Sequence, residues 1–220
     1  MGGRGSSYTK QGFMDWLSNE GGNGKGQAHP IDITKYQGWT LEQVEARLRN
    51  LGHEELFAFD KDGQLFAAFK GGKGSVAFPS DLMQVQGATV THGHPKGAEE
   101  FGGTFSFADM KNMLQSQWAE HRATASGQGE MNYILRRTGR SDAKGFYDQI
   151  NRDYTRLKSQ ISATWDRTYK AAVDRGLSRT RALHEARQAG VGVLNRYYKD
   201  TAAKFGYEYV TRKDPYTYNR

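Results

Sequence analysis

The 220-residue chain has no cysteine. That excludes disulfides and thiolate chemistry, and it confines any metal site to histidine and carboxylate ligands. No run of about 18 apolar residues occurs, so no membrane span is expected. The N-terminal "MGGRGSSYTK" has no apolar core, so it does not read as a secretory signal. Secretion is therefore not expected, and a cytoplasmic location is. Only four prolines interrupt the chain, and apolar residues are modest at 36 %. Twelve Tyr, eleven Phe and four Trp supply the bulk for a packed core.

Charge is divided unevenly. Residues 1–130 carry 12 Lys and Arg against 15 Asp and Glu, a net of −3. Residues 131–220 carry 19 against 9, a net of +10. The basic part suits an acidic partner, whether nucleic acid or protein, or a solvated helical surface.

Residues 1–28 are glycine-rich and read as mostly flexible, with a short helix around "FMDWLSN". Thr40 caps a helix over "LEQVEARLRNL", with Leu41, Val44, Leu48 and Leu51 on one face and Gly52 at its end. "EELFAFDKDGQLFAAF" reads as a hairpin turning at "DKDG", followed by a strand at "SVAF". "GATVTHGH" reads as a central strand, "SFADMKNMLQSQ" as a helix beginning at Ser106, and "EHRATASGQGEMNYILRR" as a second hairpin. "GGKG" and "SGQG" lack the full spacing of a phosphate loop and read as turns. The expected fold is α+β over residues 29–138, a mixed sheet flanked by helices.

After residue 139 the period changes. Phe146, Ile150, Tyr154, Leu157, Ile161, Trp165 and Tyr169 mark one face of a long helix. Beyond "DRGLS", Ser178 caps a second, with Leu183, Ala186, Val191, Leu194, Tyr198, Ala202 and Phe205 facing inward. A short loop joins the two into an antiparallel hairpin, expected as a basic helical module over residues 139–220. The tail "YEYVTRKDPYTYNR" either adds a short strand or lies over the surface.

One constellation carries chemistry. His92 and His94 stand two apart near a strand end, so both rings project from one side. Ser106 and Asp109 stand three apart at a helix start, and Asp109 is the natural third ligand. Three protein ligands leave a fourth position open, the arrangement of a catalytic rather than a structural zinc site. Glu54 or Glu55, at the head of the first hairpin, supplies a general base. Taken alone, Ser-x-x-Asp is also an ordinary helix start. His53 reads as surface or as support to the site. His121 and His184 have no partner readable from sequence.

"HGHP…SFAD" with an upstream glutamate resembles the JAB/MPN metalloprotease signature, also called JAMM, closest to compact RadC-type and phage-encoded domains. The resemblance covers roughly residues 40–138. It implies zinc bound by His92, His94 and Asp109, an oxyanion steadied by Ser106, and water activated by Glu54 or Glu55. The implied activity is hydrolysis of an amide or isopeptide bond in a peptide or protein substrate by a phage-encoded enzyme. Eleven residues, "PKGAEEFGGTF", separate His94 from Ser106, a longer spacing than the family's. Gly93 replaces a residue often Asn in bacterial relatives.

The basic residues offer another function. Arg136, Arg137, Arg140, Arg152, Arg156 and Lys158, continued by Arg167, Lys170, Arg175, Arg179, Arg181 and Arg187, form a candidate phosphate-tracking surface with interleaved Tyr. In that reading the chain is a non-enzymatic virion or host-interaction module that binds nucleic acid or an acidic protein through residues 139–213.

Overall fold

Apolar residues of the first hairpin alternate between two sides, and each side finds its own core. In β2 (Glu55–Phe59), Leu56 and Ala58 enter the larger cluster while Phe57 and Phe59 enter a smaller one. The computed structural model describes residues 9–17, 28–72, 74–94, 104–125 and 131–213. Among these, seven strands form one sheet in the order β1-β3-β2-β4-β5-β6-β7. They are β1 (His29–Pro30), β2, β3 (Leu65–Lys70), β4 (Thr89–His94), β5 (Glu120–Ala125), β6 (Met131–Arg137) and β7 (Tyr207–Lys213).

Every pairing is antiparallel except β4 with β5. Parallel neighbours need a crossover, and here it contains helix α4 (Phe107–Gln115). The chain leaves β4 at one end of the sheet and must return to the other. The crossover helix therefore starts beside the C-terminal end of β4, whatever the length of the loop before it. That topology brings Ser106 and Asp109 to His92 and His94.

The larger face carries helices α1 (Lys10–Leu17), α4, α5 (Ala143–Asp174) and α6 (Arg179–Ala202). The other carries α2 (Leu41–Leu48) and a short 3-10 turn (Ile33–Tyr36). Thr40 caps α2 in a capping box with Gln43, as the sequence suggests. The helix ends at Leu48 through Arg49, short of Gly52. Beneath the sheet a buried polar network ties α2 down. The Glu45 carboxylate accepts from Arg122, from Asn132 at 2.9 Å and from Thr91 at 3.4 Å. Both charges are buried, and the pairing offsets their desolvation.

The mixed α+β architecture is as expected, with β4 at the centre of the sheet. Three local expectations differ. "SVAF" is not a strand. Gly71 and Gly72 pair with Glu54, Gly72 N–H donates to the Ser75 carbonyl, and Val76 N–H turns to the Glu54 carboxylate. The segment's donors are thus spent locally, and a four-residue helix α3 (Ser80–Met83) follows. Within the glycine-rich N-terminus, α1 docks: Phe13 stacks on Trp165 at 5.2 Å, and Phe13 and Leu17 are buried in the main core. The flexibility expected of residues 1–8 and 18–27 lies outside the described residues.

The third concerns the chain after residue 138. Helices α5 and α6 pack along each other on the predicted faces, but they also share one core with the sheet. Phe146, Leu157, Ile161, Leu194 and Tyr198 belong to the same cluster as Leu56, Val90 and Phe105. The tail becomes β7, paired with β6 from Met131↔Lys213 to Arg137↔Tyr207. The expected boundary at 138 is therefore crossed by both the sheet and the core.

Candidate metal centre

Strand alternation sends Val90, His92 and His94 to the helix-covered face of β4, and Thr91 and Gly93 to the α2 face. Gly93 shows the second direction directly: a Cβ there would lie 3.2 Å from Leu48 Cβ on α2. Ser106 caps α4. Its Oγ accepts from Asp109 N–H at 3.2 Å and donates to Asp109 Oδ2 at 2.7 Å, while Ser106 N–H donates to the same oxygen at 2.8 Å. The capping box and the candidate ligand are one device. Holding Oδ2 aims the carboxylate at the strand end.

Three potential ligands converge there. His92 Nε2 and His94 Nε2 lie 2.9 Å apart. His92 Nε2 is 3.3 Å from Asp109 Oδ1, and His94 Nε2 is 3.8 Å from Asp109 Oδ2. One ligand atom from each residue can be chosen so that all lie within 4.8 Å of one another. A tetrahedral zinc with bonds of about 2.0–2.1 Å sets neighbouring ligand atoms about 3.3 Å apart. The two imidazoles and one carboxylate therefore match a divalent metal in both spacing and donor chemistry. This group can hold a metal ion. The His92 side chain is 1 % exposed and those of His94 and Asp109 are each 12 % exposed, so the approach is from the His94 and Asp109 side.

Electrostatics binds the cluster together. Burial raises the Asp109 pKa, but the charge and hydrogen bond of His92, with His94 and His121, together outweigh it and hold the carboxyl well below the usual range. Burial lowers His92, yet Asp109 and then Glu54 keep it above its ordinary value. Burial pushes Glu54 up to about 8, against the pull of His92. Glu54 precedes β2 on the site face, one pleat beyond the Leu56↔His92 pair. Glu55 belongs to the other face. Its carboxylate accepts from Arg47 Nη2 at 3.0 Å and lies 2.8 Å from His53 Nε2. The structure thus brings Glu54, His92, His94, Ser106 and Asp109 together and leaves Glu55 outside, with His53 as its partner.

Sequence reasoning missed two contributors. His121, fully buried in β5, places Nε2 3.2 Å from His92 Nδ1. Burial holds its pKa well below the ordinary histidine value. Phe78, in the expected strand that did not form, meets His92 edge-on at 5.6 Å and His121 at 5.4 Å. Finding His121 requires the β4–β5 register, which pairs Val90 with His121 and has no local signature. The glycine-rich stretch 95–103 between the motifs lies outside the described residues.

The candidate phosphate-tracking residues are dispersed. Arg136 and Arg137 project from opposite faces of β6. Arg136 pairs with Glu120 at 2.8 Å, and Arg137 donates to the carbonyls of Trp118 and Ser116. On α5, Arg152 donates to Gln149, Arg156 pairs with Asp153 at 2.8 Å, and Lys158 lies over the Tyr154 ring. Arg140 is exposed. Lys170 pairs with Asp174 and Arg175 with Glu185. Arg187 is buried at 3 % exposure and cannot follow a phosphate backbone, because its position on α6 turns it into the core. No family model matches the chain, and no curated protein or solved structure does, so the likeness to the JAB/MPN pattern rests on the residues of the motif themselves.

Proposed function

We propose that the chain is a zinc-dependent hydrolase of amide or isopeptide bonds, of the JAB/MPN type. The observation that carries this reading is the convergence of His92, His94 and Asp109 at the C-terminal end of the central strand, with buried Glu54 on the same face. A zinc ion held there would supply Lewis acidity to a carbonyl oxygen and to water. The residues divide the remaining work. The Glu54 carboxylate takes a proton from the attacking water and returns it to the leaving nitrogen.

Ser106 acts differently from what the family likeness implies. Its one hydroxyl proton is donated in a hydrogen bond to Asp109 Oδ2, so in this arrangement it orients the ligand rather than donating to an oxyanion. A peptide substrate would approach over His94 and Asp109, the more exposed side of the cluster.

The test is elemental analysis of protein purified without chelator, followed by exposure of the zinc-loaded protein to peptide and isopeptide libraries. Roughly one zinc per chain and chelator-sensitive cleavage are expected. Protein that neither carries metal nor takes up added zinc would overturn the reading. Zinc binding without cleavage would favour the binding-module alternative.

A further inference from the structure

His121 has no role in the ligand set, yet it is the best-enclosed imidazole of the group. It is 0 % exposed. Its ring lies 5.1 Å from Phe105, 5.2 Å from Trp118 and 5.4 Å from Phe78, measured between centroids. A polar ring in an aromatic box is costly unless its nitrogen has a partner. Here Nε2 faces His92 Nδ1 at 3.2 Å, with the two rings inclined at 31°, while His121 Nδ1 is buried without a hydrogen bond.

That contact bears on the metal. His92 presents Nε2 to His94 and Asp109. A nitrogen that binds a metal carries no proton, so the one proton of neutral His92 must then sit on Nδ1. His121 Nε2 meets it there, and the main-chain carbonyl of Arg122 also accepts from the His92 ring.

We infer that His121 is a positioning residue of the metal centre: its Nε2 accepts the Nδ1–H of His92 and fixes the tautomer and ring plane in which the His92 Nε2 lone pair faces the metal. This rests on the metal-centre reading above. A neutral acceptor suits the place. A carboxylate in the same box would add another buried acidic group beside Asp109 and Glu54, at a large desolvation cost. Imidazole provides the acceptor without the charge.

The experiment compares wild type, His121→Phe and His121→Gln. Phenylalanine keeps the aromatic packing and removes the acceptor. Glutamine keeps a carbonyl oxygen where Nε2 stood. Zinc affinity is measured by chelator competition, the melting temperature of the metal-free protein is recorded, and the His92 tautomer is read from nitrogen-15 histidine spectra of the zinc-loaded wild type. Expected are an Nδ1–H tautomer at His92, zinc affinity about 10–100-fold lower in His121→Phe, and recovery of most of that loss in His121→Gln. The metal-free melting temperatures should not follow the same order.

Equal zinc affinity in wild type and His121→Phe would overturn the role of His121 and leave the metal centre standing. A His92 protonated on Nε2 in the zinc complex would overturn both the role of His121 and His92 as an Nε2 ligand, and it is read on the wild type even if a variant fails to fold. Wild type that binds no zinc would remove the metal centre and this role together.

Discussion

Glu54 and Glu55 are consecutive in the chain and face opposite sides of the sheet. Glu54 is buried among His92 and Asp109, with Val76 N–H on its carboxylate. Glu55 is clamped by Arg47 and His53 beneath. Two substitutions of the same size should therefore have opposite consequences. Glu54→Gln should lower the hydrolytic rate by about 10²–10⁴-fold, the usual worth of a general base, and leave the fold intact. Glu55→Gln should leave the rate nearly unchanged and cost about 1–3 kcal/mol of stability, because it weakens charge-assisted hydrogen bonds at a buried site. Steady-state rates and urea unfolding of both variants decide this. Equal rate losses would mean that the two carboxylates are not separated by the sheet.

The pH dependence of metal-free stability follows from the same carboxyl. Glu54 has its folded pKa raised, from 4.5 to about 8. Its contribution is fully present below pH 4.5 and is lost as pH rises through about 8. His92, also raised, acts in the same direction from its ordinary value of 6.5 upward. Asp109, with its pKa depressed, contributes stability above pH 3.8 that is lost on acidification. His121, with its pKa depressed by burial, acts in the opposite sense and costs stability as pH falls below 6.5, equally in wild type and variant. Between pH 5 and pH 8.5, chelator-treated wild type should therefore lose more stability, or gain less, than Glu54→Gln does. Unfolding free energies of both proteins at the two pH values check it, and the same change with pH in both would contradict a buried, protonated Glu54.

Ser106 is tied to Asp109 by three hydrogen bonds. Two of them use the Ser106 hydroxyl, so Ser106→Ala should act on stability and metal binding at once. The lost cap costs about 0.5–2 kcal/mol. The freed carboxylate should bind zinc about 10–100-fold more weakly, as outer-shell losses usually do. Ser106→Thr, which keeps the hydroxyl, should restore both. A rate loss in Ser106→Ala with unchanged zinc affinity would instead assign the hydroxyl to the substrate.

The elements legible in the sequence are those whose signal is local. Thr40 and Ser106 announce their helices by capping, and "DKDG" announces its hairpin by turn chemistry. The long helices show a 3.6-residue period, from Phe146 through Trp165 on α5. His92, His94, Ser106 and Asp109 can be picked out because their spacings are themselves local. The choice between Glu54 and Glu55 needed the register of β2 against β4, beyond the alternation that separates them. His121 needed the parallel β4–β5 pairing across about 30 residues of chain. The docking of α1 and the addition of β7 to the sheet depend on surfaces built by the rest of the chain. "SVAF" misleads because strand propensity describes a fit to a pleated surface, and here its donors and side chains close over Glu54 and His92 instead.

Gly93 sits between the two histidines with its missing side chain aimed at α2. A Cβ at that position would lie 3.2 Å from Leu48 Cβ and 3.4 Å from both Leu48 Cδ2 and the Leu48 carbonyl oxygen. Those contacts are tight, and Leu48 is buried with Val44 and Phe57. Gly93→Ala should therefore cost about 1–3 kcal/mol through overpacking. It should not change zinc affinity, because the added carbon points away from both imidazoles. Removing the opposing side chain should relieve both side-chain contacts, so Gly93→Ala should cost less in a Leu48→Gly background than in wild type. A double-mutant cycle by urea unfolding, with zinc titration of each protein, measures both effects. Loss of zinc binding in Gly93→Ala at full stability would show that the backbone of β4, and not the side-chain faces alone, sets the ligand geometry.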